Sequence, residues 1–240
     1  MKAFWIACTL MLATTGLARA ELAGLNLSWN DCATAPAAAS NRTFACNTNS
    51  GSSTLVGSFL TAYNVPAASG IAGTLYLQSS SPSLPAWWGL GPGMCREGSL
   101  TASFDFTQGY FDCYDYWQGG ASGAITMQPV TSNRARLTVE AALPAGSPLI
   151  TPLPDQVEVY AFKAVINTAK STGLGACAGC LVQTSLCLSG FTLHAAGGDL
   201  YTGVPATRNS VTWQGQFGFF DCDVTPVQNR TWGSIKSLYR

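Results

Sequence analysis

Eight cysteines in a chain built for export constrain this fold more than any other feature. The 240-residue sequence holds nine, but Cys8 lies in a segment with the form of a removable leader. Lys2 gives a basic start, Ala3 to Gly16 is almost wholly apolar, and Ala18-Arg19-Ala20 has the small-x-small pattern that signal peptidase accepts. Residues 1–20 are read as a signal peptide, with Glu21 first in the mature chain. The leader's apolar run is short for an anchor, and no other stretch approaches the ~20 apolar residues of a transmembrane helix. The sequence therefore predicts a secreted protein, periplasmic, cell-surface or extracellular, with no transmembrane segment. Cys32, Cys46, Cys95, Cys113, Cys177, Cys180, Cys187 and Cys222 form an even set, which under oxidising conditions reads as four disulfides.

Losing Lys2 and Arg19 with the leader takes 12 basic residues to 10 against 12 acidic ones, a formal charge of −2. The remaining basic residues are scattered, apart from Arg134 with Arg136 and those near the C-terminus, so no face is charged for nucleic acid. A mature chain of this length can bury a core without help, which makes the bridges devices of durability outside the cell.

Period-two alternation recurs, and long helical periodicity is absent. In Arg134 to Ala141, Ala135, Leu137, Val139 and Ala141 share one face while Arg134, Arg136, Thr138 and Glu140 share the other. Weaker alternation marks Leu25 to Trp29, Thr74 to Gln78, Leu100 to Phe106 and Phe191 to Leu193. Val157 to Asn167 is apolar on both parities, which predicts a central strand covered on both faces. Clusters at Asn47 to Ser53, Ser79 to Pro85, Gly89 to Gly93, Pro144 to Pro154 and Thr202 to Ser210 read as loops. The sum is an all-β, disulfide-stapled β-sandwich of roughly ten short strands over residues 21–225, with an open barrel as the alternative. Ala33 to Ser40, interrupted by Pro36, reads as a loop closed by Cys32–Cys46. A second expected bridge is Cys95–Cys113, and the other four cysteines stay open among three pairings.

The chemistry the residues exclude is broad. Cys177-Ala-Gly-Cys180 with Cys187 and Cys222 has soft-ligand character, but export and the single histidine, His194, favour disulfides over zinc. No amphipathic helix follows Cys180, as a redox-active CxxC requires. There is no Gly-x-Ser-x-Gly elbow, HExxH, Walker loop or GxGxxG, so no metal and no cofactor is expected. A carboxylate pair drawn from Glu97, Asp105, Asp112, Asp115, Glu140, Glu158, Asp221 and Asp223 would suit a secreted hydrolase. Asp105, Asp112 and Asp115 also offer oxygen ligands to calcium, without the loop pattern that such sites show.

The aromatic residues are the better lead to a site. Trp87 and Trp88 lie in a Pro- and Gly-rich loop, Tyr114, Tyr116 and Trp117 follow Cys113, and a Cys95–Cys113 bridge would join the two groups. Such a platform would bind carbohydrate or protein, against the alternative that the rings cap the core. Residues 226–240 change character: Trp232, Ile235 and Leu238 or Tyr239 recur at helical spacing, which predicts a short helical tail. Too short to stand alone in water, it docks on its own domain, docks on a partner or stays loose.

Asn133 to Leu137, Tyr160 to Lys163, Ala176 to Cys180, Val211 to Gly215 and Thr231 to Arg240 together resemble a group of secreted bacterial proteins of unknown function. That resemblance implies bacterial origin and export and supplies no catalytic residues. A strand like Arg134 to Ala141 preceding one like Val157 to Asn167 is also similar to cohesin-type β-sandwiches, at the level of fold alone. The leading functional expectation is a non-catalytic extracellular or cell-surface binding module. The alternatives are a structural envelope or matrix protein retained by its tail and, behind it, the carboxylate-pair hydrolase.

Overall fold

The computed structural model describes residues 24–60, 67–107, 112–147, 157–195, 198–202, 208–215 and 222. The expected leader, the C-terminal tail, Asp221 and Asp223 lie outside the described residues. Eleven strands run through the described part, and the only helical element there is a three-residue 3-10 turn, Ala86–Trp88. The chain is all-β, as its alternation requires.

The strands form two sheets. In the smaller, β1 (Gly24–Trp29), β3 (Ser52–Leu60), β8 (Glu158–Asn167) and β5 (Leu100–Ser103) lie side by side in that order. In the larger, the order is β2 (Asn41–Arg42), β11 (Ser210–Trp213), β9 (Thr184–Ala195), β4 (Ala68–Ser79), β7 (Arg134–Ala142) and β6 (Ser122–Thr131). Strand β9 is long enough to take β11 along residues 184–187 and β10 (Gly198–Thr202) along residues 191–195. One hydrophobic core serves both sheets: Leu27, Leu55 and Phe59 from the smaller pack in the same cluster as Leu75, Leu137 and Leu186 from the larger.

Local chemistry explains the individual strands. In β7, Ala135, Leu137, Val139 and Ala141 are buried while Arg136 and Glu140 are exposed, as the period-two pattern predicts. Strand β8 sits between β3 and β5 with Glu158 to Phe162 buried without interruption, the two-sided central strand expected from its sequence. The alternation at Leu100 runs out sooner than expected: β5 ends at Ser103, and Phe104 and Phe106 leave the sheet while staying in the core. Strand β6 forms an exposed edge, where Pro129 withholds a donor at a register shift and blunts further pairing. Gly57 meets a different need. A Cβ at that position would fall inside the Phe162 ring on the neighbouring strand, at the point where the β3–β8 register shifts.

All eight cysteines from Cys32 to Cys222 are paired, but the two pairings expected from the sequence are both corrected. The bridges are Cys32–Cys113, Cys46–Cys180, Cys95–Cys177 and Cys187–Cys222. Cys32 and Cys46 flank a loop, yet β2 carries Cys46 to the Cys180 loop and leaves Cys32 beside Cys113. Three of the four bridges span more than 80 residues. In the chain-entropy view each adds about 2–4 kcal/mol by restricting the unfolded chain.

Two outcomes are expected. Mass spectrometry of unreduced proteolytic peptides will find those four pairs and no Cys32–Cys46 peptide. Gly57→Ala will destabilise the protein by about 1–3 kcal/mol through overpacking against Phe162, read as a lowered urea midpoint at unchanged slope.

Candidate functional site

The expected aromatic platform is corrected by burial. Trp87, Trp88, Tyr116 and Trp117 are all at most 1% exposed, and only Tyr114 is half-buried. The 3-10 turn after β4 aims Trp87 and Trp88 inward, where Trp87 stacks on Trp213 at 4.8 Å and meets Trp88 edge-on at 4.9 Å. Two of these three rings have their indole N–H met by an acceptor, and Trp88 Nε1 meets none among the described residues. Trp87 Nε1 donates to Ser171 Oγ at 3.0 Å and Trp213 Nε1 to the Cys180 carbonyl at 2.8 Å. In the second group, Trp117 Nε1 donates to the Tyr160 carbonyl at 3.1 Å, and the Tyr116 hydroxyl bonds both backbone groups of Ala68. Cys95 and Cys113 are bridged to different loops, so no disulfide joins the two groups.

Beneath the first group lies Arg96, fully buried, its guanidinium 3.8 Å from the centre of the Trp87 ring. It donates to the carbonyls of Trp87 and Ala169 at 2.9 Å each and to that of Asn167. Desolvation lowers its pKa to about 10, which leaves it charged at neutral pH. Nothing in the sequence around Met94-Cys95-Arg96 signals that this arginine points inward.

Above these rings, three loops form one end of the sandwich. Residues 44–51, 79–95 and 171–183 contain no Asp, Glu, Lys or Arg. They are bonded to one another: Trp87 N to the Ala178 carbonyl, Ser80 N to the Gln183 carbonyl, and the Asn49 side chain to Ser171 and Thr172. Cys95–Cys177 and Cys46–Cys180 tie the 171–183 loop to each of the other two. Gly179, at φ +93°, lies against Pro85 where no side chain fits. The loop's two turns project its leucines. Leu174 follows Gly173 in a turn closed by Ala176 N on the Gly173 carbonyl, and Leu181 lies in one closed by Val182 N on the Gly179 carbonyl. Leu174 is 110% exposed and Leu181 67%. Nothing in the sequence pattern singles out these two leucines, Leu174 between Gly173 and Gly175 and Leu181 after Cys180.

Two buried carboxylates serve a different region. Glu158 is buried at the start of β8, accepting from Asn26 Nδ2 at 3.1 Å, Ser58 Oγ at 2.5 Å, Ala33 N at 3.0 Å, Thr34 N at 2.9 Å and Thr34 Oγ1 at 2.5 Å. Asp31, also buried, accepts from Cys32 N at 2.7 Å and from the Tyr160 hydroxyl, whose pKa is pushed up by burial and by that bond. Glu158 lies close to Cys32 and Cys113, but the two sulfurs are bonded to each other and supply no thiolate to a metal. Asp105 and Asp115 both act on Lys163: burial raises the Asp115 pKa and lowers that of Lys163, which the two acids oppose. Glu97 caps Gly93 N, while Asp112 and Glu140 are exposed. His194 pairs with Asp199 at 2.8 Å on the surface. No two of the acids first considered for a hydrolase meet across the cleft that the described residues form beside Arg208.

No protein-family model matches the chain, and no curated protein does. Among solved structures, ACE19, the collagen-binding subdomain of the Enterococcus faecalis surface protein ACE, aligns over 73% of this chain and 94% of that chain. The identity is 11% and the TM-score 0.25, an overlap too shallow to carry an argument about ligand or ancestry.

Glu158→Ala will strip the acceptor from buried donors on Asn26, Ser58, Ala33 and Thr34. With each unmet buried donor costing about 1–3 kcal/mol, the expected loss in urea unfolding is at least about 3 kcal/mol.

Proposed function

We propose that the protein is an exported, non-catalytic binding module of the cell surface or extracellular space that docks on a protein partner through the leucine-bearing loop end of its sandwich. The observation that carries this reading is Leu174, wholly exposed on a turn of a loop that two disulfides cross-link to its neighbours. A leucine kept in water forgoes about 1.5–3 kcal/mol of burial, which a partner's apolar pocket would recover. A loop ordered before it binds also spares the association much of the usual ordering cost. Leu174 and Leu181 among Gly, Ser, Thr and Asn make two apolar anchors in a polar rim, the layout of an interface with an apolar centre.

Protein is favoured over carbohydrate because four of the five rings expected to stack on sugar lie in the core. The reading as a retained structural protein depends on residues 226–240, outside the described residues. The hydrolase reading is left with Asp105 and Asp115, neighbours around Lys163 and not part of the cleft beside Arg208.

Photo-crosslinking from position 174, presented to the surface and secreted proteins of the producing cell, will yield a discrete protein adduct. The same probe at exposed Glu140 on β7 will not, and Leu181→Asp will weaken the adduct from 174. Equal adducts at both positions, or none at 174, would sink the proposal. The double variant L174D/L181D will unfold within about 0.5 kcal/mol of the parent, since neither leucine contributes to the core.

A further inference from the structure

A separate feature, lined by none of the leucine-loop residues, lies where the edge strand β1 meets Arg208 and the start of β11. There a cleft of about 160 Å³ opens. Its apolar wall is Leu27, Ala33, Ala38 and Ala39, and Ser210 and Arg208 stand on its polar side. The volume is that of roughly five water molecules at about 30 Å³ each, which limits an occupant to a small group.

Arg208 is held at both ends. Its carbonyl accepts from Leu27 N at 2.8 Å, and its Nη1 donates to the Ala33 carbonyl at 2.6 Å. Ala33 is itself fixed, its N–H donating to buried Glu158 at 3.0 Å. No carboxylate forms an ion pair with Arg208 among the described residues, and its Nε and Nη2 donors meet no protein acceptor there. The cleft therefore joins an oriented guanidinium, without a carboxylate partner among the described residues, to a wall of methyl groups. A guanidinium fork matches a carboxylate in a bidentate pair. One cation, with no second lining the cleft among the described residues, suits a single negative charge better than a phosphate dianion.

We infer that the Arg208 cleft binds a carboxylate carrying a short apolar group, either the C-terminal residue of a peptide or a free small aliphatic acid. The carboxylate lies on the Arg208 fork and the aliphatic part on Leu27, Ala33, Ala38 and Ala39. This site is independent of the leucine loop, so the failure of either leaves the other standing.

The test is titration of the full mature protein, followed by calorimetry or by amide NMR shifts, with N-acetyl-alanyl-alanine, its C-terminal amide and butyrate. The dipeptide acid or butyrate will bind, and the amide will bind roughly tenfold to a hundredfold more weakly, the loss expected for a charge-assisted pair. Stronger binding of the dipeptide acid identifies a peptide terminus as the source, and stronger binding of butyrate a free acid. Arg208→Gln will weaken the preferred acid by the same factor, while Lys170→Gln, a change at an exposed cation elsewhere, will not. Ala38→Leu, which fills the cleft and keeps the guanidinium, will also abolish binding, so the result does not depend on one variant's folding. Equal binding of acid and amide, an unchanged affinity in Arg208→Gln, or no binding of either acid up to about 10 mM would overturn the inference.

Discussion

The two sheets close on Trp213. It belongs to β11 of the larger sheet, yet its ring lies 6.0 Å from Trp29 on β1 of the smaller one, stacks on Trp87 at 4.8 Å and meets Phe44 at 6.0 Å. Its indole N–H reaches the Cys180 carbonyl. One side chain thus touches both sheets, the 3-10 turn and the doubly bridged loop. Aromatic pairs of this kind add about 0.5–1.5 kcal/mol each beyond the area they bury. Arg96 completes the arrangement: its charge is met by the Trp87 ring and three carbonyls, an environment that a weakly hydrated guanidinium tolerates far better than an ammonium would.

How legible each element was depends on how its faces are covered. Strand β7 could be read because one face is dry and the other wet, and β8 because both are dry and its residues are apolar. Strand β3 escaped notice since Gly57 and Ser58 interrupt its apolar run for reasons held on another strand, the Phe162 ring and the Glu158 carboxylate. Strand β6 escaped notice because an exposed edge needs no hydrophobic pattern. Disulfide pairing was opaque for a related reason. Cys177 and Cys180 are near neighbours in sequence, yet their partners lie 82 and 134 residues away, so nearness along the chain carried no information about the bridge.

The candidate site was legible in its materials and not in its orientation. Trp87 and Trp88 in a loop of prolines and glycines invite an outward reading, because nothing local shows that Ser171 supplies an acceptor for one indole and that Trp213 stands ready to stack on it. Once the rings turn in, they become the rigid floor on which the 171–183 loop rests. The leucines on that loop then take on a meaning they lack in sequence, where Gly-Leu-Gly reads only as a turn. Exposure of an apolar residue is common; exposure on a loop cross-linked twice and bonded to two others is less easily dismissed as slack.

The flank cleft shows how a buried acid can set a surface cation without cancelling it. A carboxylate placed directly against Arg208 would orient the guanidinium and also neutralise it. Here Glu158 holds the Ala33 N–H, and the carbonyl of the same residue holds Arg208. The Ala33 carbonyl shares its peptide group with the Thr34 N–H, which also donates to Glu158, and bonds linked through one amide polarise each other. The Cys32–Cys113 bridge secures the loop that carries Ala33 against Glu158, and Thr34 adds two further bonds to the same carboxylate. The cation's direction is thereby fixed from inside the core, while no carboxylate among the described residues pairs with it.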